Sequence, residues 1–353
     1  MRWLSDNTIE HLRSITDDPD FSATKYKVVK EIARGGMGTV YLAEDIELGR
    51  QIAIKVLNTP ELDSGLARRM VREAKIIARL EHPGIVPVHD VGTLPDGRVF
   101  YAMKFVRGSR LDEYAAQVDS IKDRLRKFQA VCDAVAFAHA HGVVHRDLKP
   151  QNIMIGSFGE VLVLDWGVAK LLPAASSEAD TLILPGTNCD VRTDKPIDTA
   201  HGTVIGTPRY MSPEQSLGEV EQLDERSDIY SLGAVLYFLL TRQAPIERKT
   251  AGATGQSATT VSIQRPRELN SKISKAAEAI CLKAMARSAA DRYPSAVEMS
   301  ADIGRLLDAE PVSAYRENTV ERIGRWLGKN RFLVLLVLAY LLMRIFFILT
   351  AKR

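Results

Sequence analysis

His145-Arg146-Asp147-Leu148-Lys149-Pro150-Gln151-Asn152, with Asp165-Trp166-Gly167 a short hairpin later, is the stretch on which the reading of this chain turns. The octet gathers a carboxylate, an ammonium and an amide carbonyl just past a stretch of helical period. Val161-Leu162-Val163-Leu164 is wholly apolar and reads as a buried strand that delivers Asp165 at its end, with Gln151 to Glu160 as the hairpin before it. Carboxylate and amide oxygens suit hard divalent cations, and the ammonium suits developing negative charge. Solvated loop residues have no reason to fall at these spacings.

At every fixed position the octet resembles the H-R-D-L-x-x-x-N catalytic loop of protein kinases, and the chain is similar to their bacterial, eukaryotic-like serine/threonine branch. The resemblance covers residues 25–309 and implies an α+β, two-lobed kinase fold, with a small β-rich N-lobe (25–106) and a larger, mainly helical C-lobe (107–309). It implies that Asp147 orients the acceptor hydroxyl, that Lys149 neutralises the transferred group, and that Asn152 and Asp165 bind magnesium. ATP and Mg2+ are the implied cofactors, with Mn2+ an admissible substitute. The implied substrates are proteins with Ser or Thr acceptors.

Working outward, Gly35-Gly36-Met37-Gly38 lies between two strand patterns, where backbone amides unobstructed by Cβ can close over phosphates. Strand follows it, not helix, and no G-K-[ST] is present, so the dinucleotide and P-loop fingerprints do not fit. Ala33 stands at the family's first glycine, which predicts somewhat weaker loop closure. Ala53-Ile54-Lys55 falls in a third strand. A lysine there is costly without anions, and by resemblance it holds the α/β-phosphates and pairs with Glu73 of a helix read over Ser64 to Leu80. The resemblance implies a nucleotide pocket of Ile32, Ala33, Gly35, Gly38, Val40, Ala53, Lys55 and Glu73, with Met103 as its gatekeeper and Lys104, Phe105 and Val106 as its hinge.

His139, His141 and His145 invite a metal reading, but residues two apart on a helix do not share a face. His145 reads as a packing residue bracing the catalytic loop, and the other two end the preceding helix. Two motif positions are altered: Asp-Trp-Gly at 165–167, and Ser212-Pro213-Glu214 where Ala-Pro-Glu is usual. Neither alteration touches a metal ligand. Glu214 is expected to pair with Arg292, and Asp228 to hold the catalytic loop. Gln151 replaces a glutamate of many basic-directed kinases, so no preference for arginine-flanked sites is expected. Lys149 and the Gly206-Thr207-Pro208 motif resemble the serine/threonine branch, with Thr207 shaping the acceptor pocket. The segment 165–214 is long and rich in threonines, with Thr203 the expected autophosphorylation site and Arg146 its phosphate partner. The rival reading is a pseudokinase scaffold. It has only Ala33 and Trp166 in its favour, while Lys55, Asp147 and Asp165 are all present.

Composition sets the frame. The chain has 353 residues, 46% hydrophobic and 26% charged, which suits a folded protein, and 47 basic against 44 acidic side chains leave no nucleic-acid footprint. Three scattered cysteines predict no disulfide framework and a reducing compartment. Residues 1–24 read as an N-terminal extension without a signal peptide. Residues 310–331 read as a basic, partly helical juxtamembrane linker. Phe332 to Thr350 holds nineteen residues with one charge, Arg344, and predicts a single transmembrane helix. Arg322, Arg325, Lys329 and Arg331 predict a kinase domain on the cytoplasmic face of the inner membrane. The chain is expected to carry no extracytoplasmic sensor and to be either tail-anchored or a piece of a longer product. A homodimer is compatible with this reading but nothing in the sequence demands one.

Overall fold

Strand-forming residues crowd the first hundred positions between tight turns, and they assemble as one antiparallel sheet. The computed structural model describes residues 19–35, 38–58, 65–166, 170–171, 209–218, 223–245, 247–250 and 260–351. Strands β1 (Tyr26–Arg34), β2 (Gly38–Asp45), β3 (Arg50–Leu57), β4 (Val88–Thr93) and β5 (Val99–Lys104) lie in the order β1-β2-β3-β5-β4. Helix α1 (Gly65–Ala78) covers one face. Its Ala67, Met70 and Ala74 recur at helical spacing and pack on Leu57, Val99 and Tyr101. The alternate residues Ile52, Ile54, Val56, Phe100 and Ala102 face the other way. Phe21, placed by the sequence in an extension, packs its ring on Tyr41 and Phe100 at centroid distances of 6.4 and 6.1 Å, so the small lobe's core begins before β1.

The back half is helical, as the two-lobed reading requires. Short β6 (Gly108–Arg110) leads to α2 (Leu111–Gln117) and then to α3 (Ile121–Ala140), whose Ser120 accepts from the Asp123 amide as N-cap. Short β7 (Val143–Val144), a 3-10 turn at Pro150–Asn152, β8 (Ile153–Gly156) and β9 (Val161–Val163) follow, with β10 (Lys170–Leu171) pairing back on β7. Beyond them come α4 (Pro213–Ser216), α5 (Glu225–Thr241), the β11 (Glu247–Thr250) and β12 (Thr260–Ile263) pair, α6 (Pro266–Leu269), α7 (Lys275–Ala284) and α8 (Ala296–Leu307). Helix α5 is buried on nearly every side, because α3 and α7 both pack on it. Ser295 caps α8 through the Glu298 amide.

Several local readings shift. Helix α5 begins at Glu225 under an Asp224 cap, which leaves Asp228 inside the first turn for another task. β4, β6, α2 and the β11/β12 pair show no sequence period long enough to announce them. Ser64, read as the start of the first helix, lies outside the described residues, as do Gly36, Met37, Gly167 and the threonines from Thr181 to Thr207. The linker forms α9 (Thr319–Lys329), and α10 (Arg331–Ala351) follows over 21 residues. Among the described residues no helix is long and apolar enough to cross a membrane, so the structure does not carry the expected span. The side chains of Leu333 and of the positions from 345 on lie outside the description.

Candidate active site

Register in the sheet brings the first charges together. Lys55 of β3 lies directly opposite Tyr101 of β5, and alternation turns both toward α1. Glu73 sits on that helix three residues past buried Met70 and is itself buried. Lys55 Nζ donates to Glu73 Oε1 at 3.1 Å and to Asp165 Oδ1 at 2.8 Å, closing a bridge between the two lobes. Tyr101 Oη donates to Glu73 Oε1 at 2.8 Å, and its ring lies 5.7 Å from the Lys55 ammonium. Burial works against the Lys55 charge, but Tyr101, Asp165 and Glu73 more than offset it, and the amine's pKa rises above the ordinary lysine value. Burial pushes the Glu73 carboxyl up against the pull of Lys55. Burial also works to raise Asp165, yet Lys55 holds it below the usual range, so it is ionised at neutral pH.

A second cluster is built on the loop between β7 and the 3-10 turn. Lys149 Nζ donates to Asp147 Oδ2 at 2.7 Å, and Asn152 Nδ2 donates to the same oxygen at 3.0 Å and to the Asp147 carbonyl at 2.8 Å. With its nitrogen committed to Asp147, the Asn152 amide has its oxygen left for a cation. Asp165, 47% exposed in its side chain, supplies a carboxylate at the end of β9. Two oxygen ligands and no all-protein cage suit Mg2+, which keeps waters and substrate phosphates in its shell.

The backbone here is strained, and side chains hold it. Arg146 adopts φ 69° and Asp165 φ 59°, a region that costs a β-substituted residue of Arg's size most. The buried Asp228 carboxylate accepts from the His145 amide at 2.7 Å and the Arg146 amide at 2.8 Å, while His139 Nε2 donates to it at 2.9 Å. Gln215 Nε2 donates to the Arg146 carbonyl at 2.7 Å, so the strained residue is gripped at both ends. Burial disfavours the Asp228 charge, but these donors, His139 foremost, keep its carboxyl below the usual range. His145 braces the loop as expected: Nε2 donates to the Leu164 carbonyl at 3.0 Å, and its ring stacks 4.6 Å from buried Trp166. His141 turns away to its own helix, 4.2 Å from the Phe137 ring. Glu214 and Arg292 form a two-pronged pair at 2.7 and 2.8 Å.

The remaining pocket residues fall around this centre. Val40 lies opposite Lys55 and Ala53 opposite Met103 in the ladder, while Ile32 and Ala33 close β1 in exposed positions. The Lys104 amide is committed to the Pro87 carbonyl at 3.1 Å, and Val106 is buried. Gly35 donates to the Gly38 carbonyl at 2.9 Å, tightening the described edge of the glycine loop. Gly38 has a further reason to be glycine, since a Cβ there would meet the Val56 carbonyl oxygen at 2.5 Å.

Residues 26–302 match the family whose model is described as the protein kinase domain. The chain belongs to the protein kinase family. It is 35% identical over 304 residues to the serine/threonine-protein kinase PknD of Protochlamydia amoebophila, covering 80% of this chain and 30% of that one. With PrkC of Bacillus subtilis it shares 34% over 296 residues, 83% of this chain and 42% of the other. The crystal structure of the Mycobacterium tuberculosis PknI kinase domain superposes with a TM-score of 0.57 at 25% identity, covering 80% of this chain and 96% of that one. Among kinases its kin are thus the bacterial, eukaryotic-like serine/threonine type, and it spans under half the length of these curated relatives.

Sequence reading missed two residues of this kinase's centre. Tyr101 could have been found as a polar-tipped side chain on the same strand face as Met103, facing the lysine strand. Gln215 could have been found from the S-x-x-Q capping box with Ser212, whose hydroxyl accepts from the Gln215 amide.

Proposed function

We propose that this chain transfers the γ-phosphate of Mg-ATP to serine and threonine hydroxyls of proteins. The carrying observation is the Lys55 ammonium held between Glu73 and Asp165, beside the Asp147–Lys149 pair. Lys55 would hold phosphate oxygens while Glu73 and Tyr101 keep it aimed. Asp147 orients the acceptor hydroxyl and takes its proton, and Lys149 offsets charge on the group in transit. Asn152 and Asp165 would hold magnesium, which would supply neutralisation of the phosphates. All three charged groups that a degenerate kinase would lose are in contact distance of a partner, which favours an enzyme over a scaffold. Radiolabelled ATP and a generic protein acceptor test this with the full chain beside Asp165→Asn. Transfer by the first and not the second is expected, and equal, negligible transfer by both would overturn it.

Two further readings belong here. Arg146 Nε and Nη2 are buried with no hydrogen-bond partner among the described residues, which supports a phosphate on the 165–214 segment, Thr203 foremost, as their partner. Mass spectrometry after incubation with ATP that finds no phosphate between Thr181 and Thr207 would remove this. A membrane tether at α10 is supported by Leu335, Leu336, Val337 and Leu338, four consecutive residues that are 47–72% exposed and so apolar on every side of the helix. The basic flank favours an inner-membrane, cytoplasm-facing kinase domain.

A further inference from the structure

Helix α9 is pinned to the kinase domain along one edge. Lys275 Nζ of α7 donates to Glu321 at 2.7 Å, and Tyr315 Oη donates to the same carboxylate at 2.9 Å. Arg325 pairs with Glu317 at 2.8 Å and reaches the Ala309 carbonyl at 3.3 Å. The segment before the helix is itself fastened, because buried Asp302 accepts from the Ser313 amide, the Ser313 hydroxyl and the Ala314 amide. At about 100° per residue, Glu321 and Arg325 share one edge of α9, and Val320, Ile323, Trp326 and Leu327 occupy an arc of about 120° on the opposite side. Those four are 77%, 55%, 54% and 42% exposed. Four large apolar side chains held away from the domain are unusual for a soluble surface.

Charge says what covers them. Residues 316–331 hold five basic residues (316, 322, 325, 329, 331) against two acidic ones (317, 321). Both acids are already paired, one with Arg325 and one with Lys275 of the domain. The unspent charge is therefore positive, and Arg316 and Arg322 are exposed. Trp326 stands at the border between apolar arc and basic edge, the place where a tryptophan favours a headgroup boundary. The apolar arc runs directly into the exposed apolar helix α10. A second copy of the chain would have to bring its own basic edge against this one.

We infer that α9 lies in the plane of an anionic phospholipid surface, its Val320, Ile323, Trp326 and Leu327 in the headgroup boundary, and that its polar edge fixes the kinase domain against that surface. This rests on the membrane tether proposed above but adds a second contact with its own lipid dependence. Helices of this pattern bind through apolar area plus attraction to anionic lipid.

The test uses the full chain with phosphatidylcholine vesicles, with and without phosphatidylglycerol, and reads Trp326 as the difference between wild type and Trp326→Phe. Expected are a blue shift and quenching by lipids brominated near the headgroup, both stronger with phosphatidylglycerol. Ile323→Glu/Leu327→Glu is expected to lose both while still sedimenting with vesicles. A chain that sediments while Trp326 stays solvent-like overturns the α9 inference and leaves the tether standing. With α10 disabled by Leu338→Arg/Leu341→Arg, salt-sensitive sedimentation weakened about tenfold by the α9 pair supports α9 alone. No sedimentation of either form overturns both. A blue shift that needs no vesicles and grows with protein concentration assigns the face to a second copy and overturns the lipid assignment.

Discussion

Tyr101 is the residue whose effect reaches furthest for its size. A neutral leucine there would fill the same space but leave Glu73 Oε1 with Lys55 alone. A hydrogen bond to a charged group contributes about 1.5–3 kcal/mol, and about 1.4 kcal/mol is tenfold in a rate or binding ratio. Tyr101→Phe keeps the ring under Lys55, so the KM for ATP should rise about tenfold or more while the thermal midpoint falls by about 2–4 °C. Steady-state kinetics with an unaltered KM beside that same fall would make the hydroxyl merely structural. Gln215 acts at the other end of the site. Gln215→Ala leaves the Arg146 carbonyl without its donor and loosens a residue at φ 69°, and we expect kcat to drop about tenfold with ATP KM unchanged.

At the scale of elements, the Glu214–Arg292 pair ties α4 to the turn before α8. Burial works to raise the Glu214 carboxyl, but Arg292 brings it down from 4.5 to about 2. A folded value below the unfolded one means the contribution is full above about pH 4.5 and drains away as pH falls toward about 2. Denaturant unfolding of wild type should therefore lose stability across that window. Glu214→Gln should flatten the loss and cost about 3 kcal/mol at neutral pH, because it leaves the Arg292 guanidinium buried without its anion. Gly233 lies on α5 where it packs on the end of α7. A Cβ there would meet the Ala284 Cβ at 2.8 Å and its backbone carbon at 3.2 Å. Alanine gains about 1 kcal/mol in helix propensity, yet overpacking two buried helices costs about 1–3 kcal/mol, so Gly233→Ala should lower the denaturation midpoint or at best leave it unchanged.

For the whole molecule, Lys55–Asp165 ties the two lobes across the cleft, and beyond α9, which Lys275 holds to the domain, the chain continues as the apolar α10. The exposed apolar residues of α10 from Leu335 to Met343 are what the proposed tether rests on, and it carries a prediction. Expressed full chain should fractionate with membranes and resist alkaline carbonate. Leu338→Arg/Leu341→Arg, at about 2.5–3.5 kcal/mol per charge near a span's centre, should let alkaline carbonate strip the chain from the membrane, leaving only the salt-sensitive hold of α9, with transfer activity intact. Soluble wild-type protein at physiological salt would remove the tether.

Motif residues were legible because their chemistry is local: an acid, an amide and a lysine within one loop, an acid ending an apolar strand, a glycine run between strands. The same holds for the long periodic helices and for the sheet of the small lobe. What the sequence by itself could not place were approaches between distant segments that no family motif marks, whereas the Lys55–Glu73 and Glu214–Arg292 pairs and the hold of Asp228 on the catalytic loop came with the motifs. Tyr101 meets Glu73 only because β3, β5 and α1 stack in one register, and Asp228 gains His139 as a further donor only after α5 packs beneath α3. Gln215 closes on a carbonyl 69 positions away. Short elements such as β4 and α2 escaped for a related reason, since a helix or strand of six or seven residues draws its stability from neighbours and not from its own period. Chemistry that fits within a few bonds is written in the chain, and contacts made across it exist only once hydrophobic burial has chosen which faces meet.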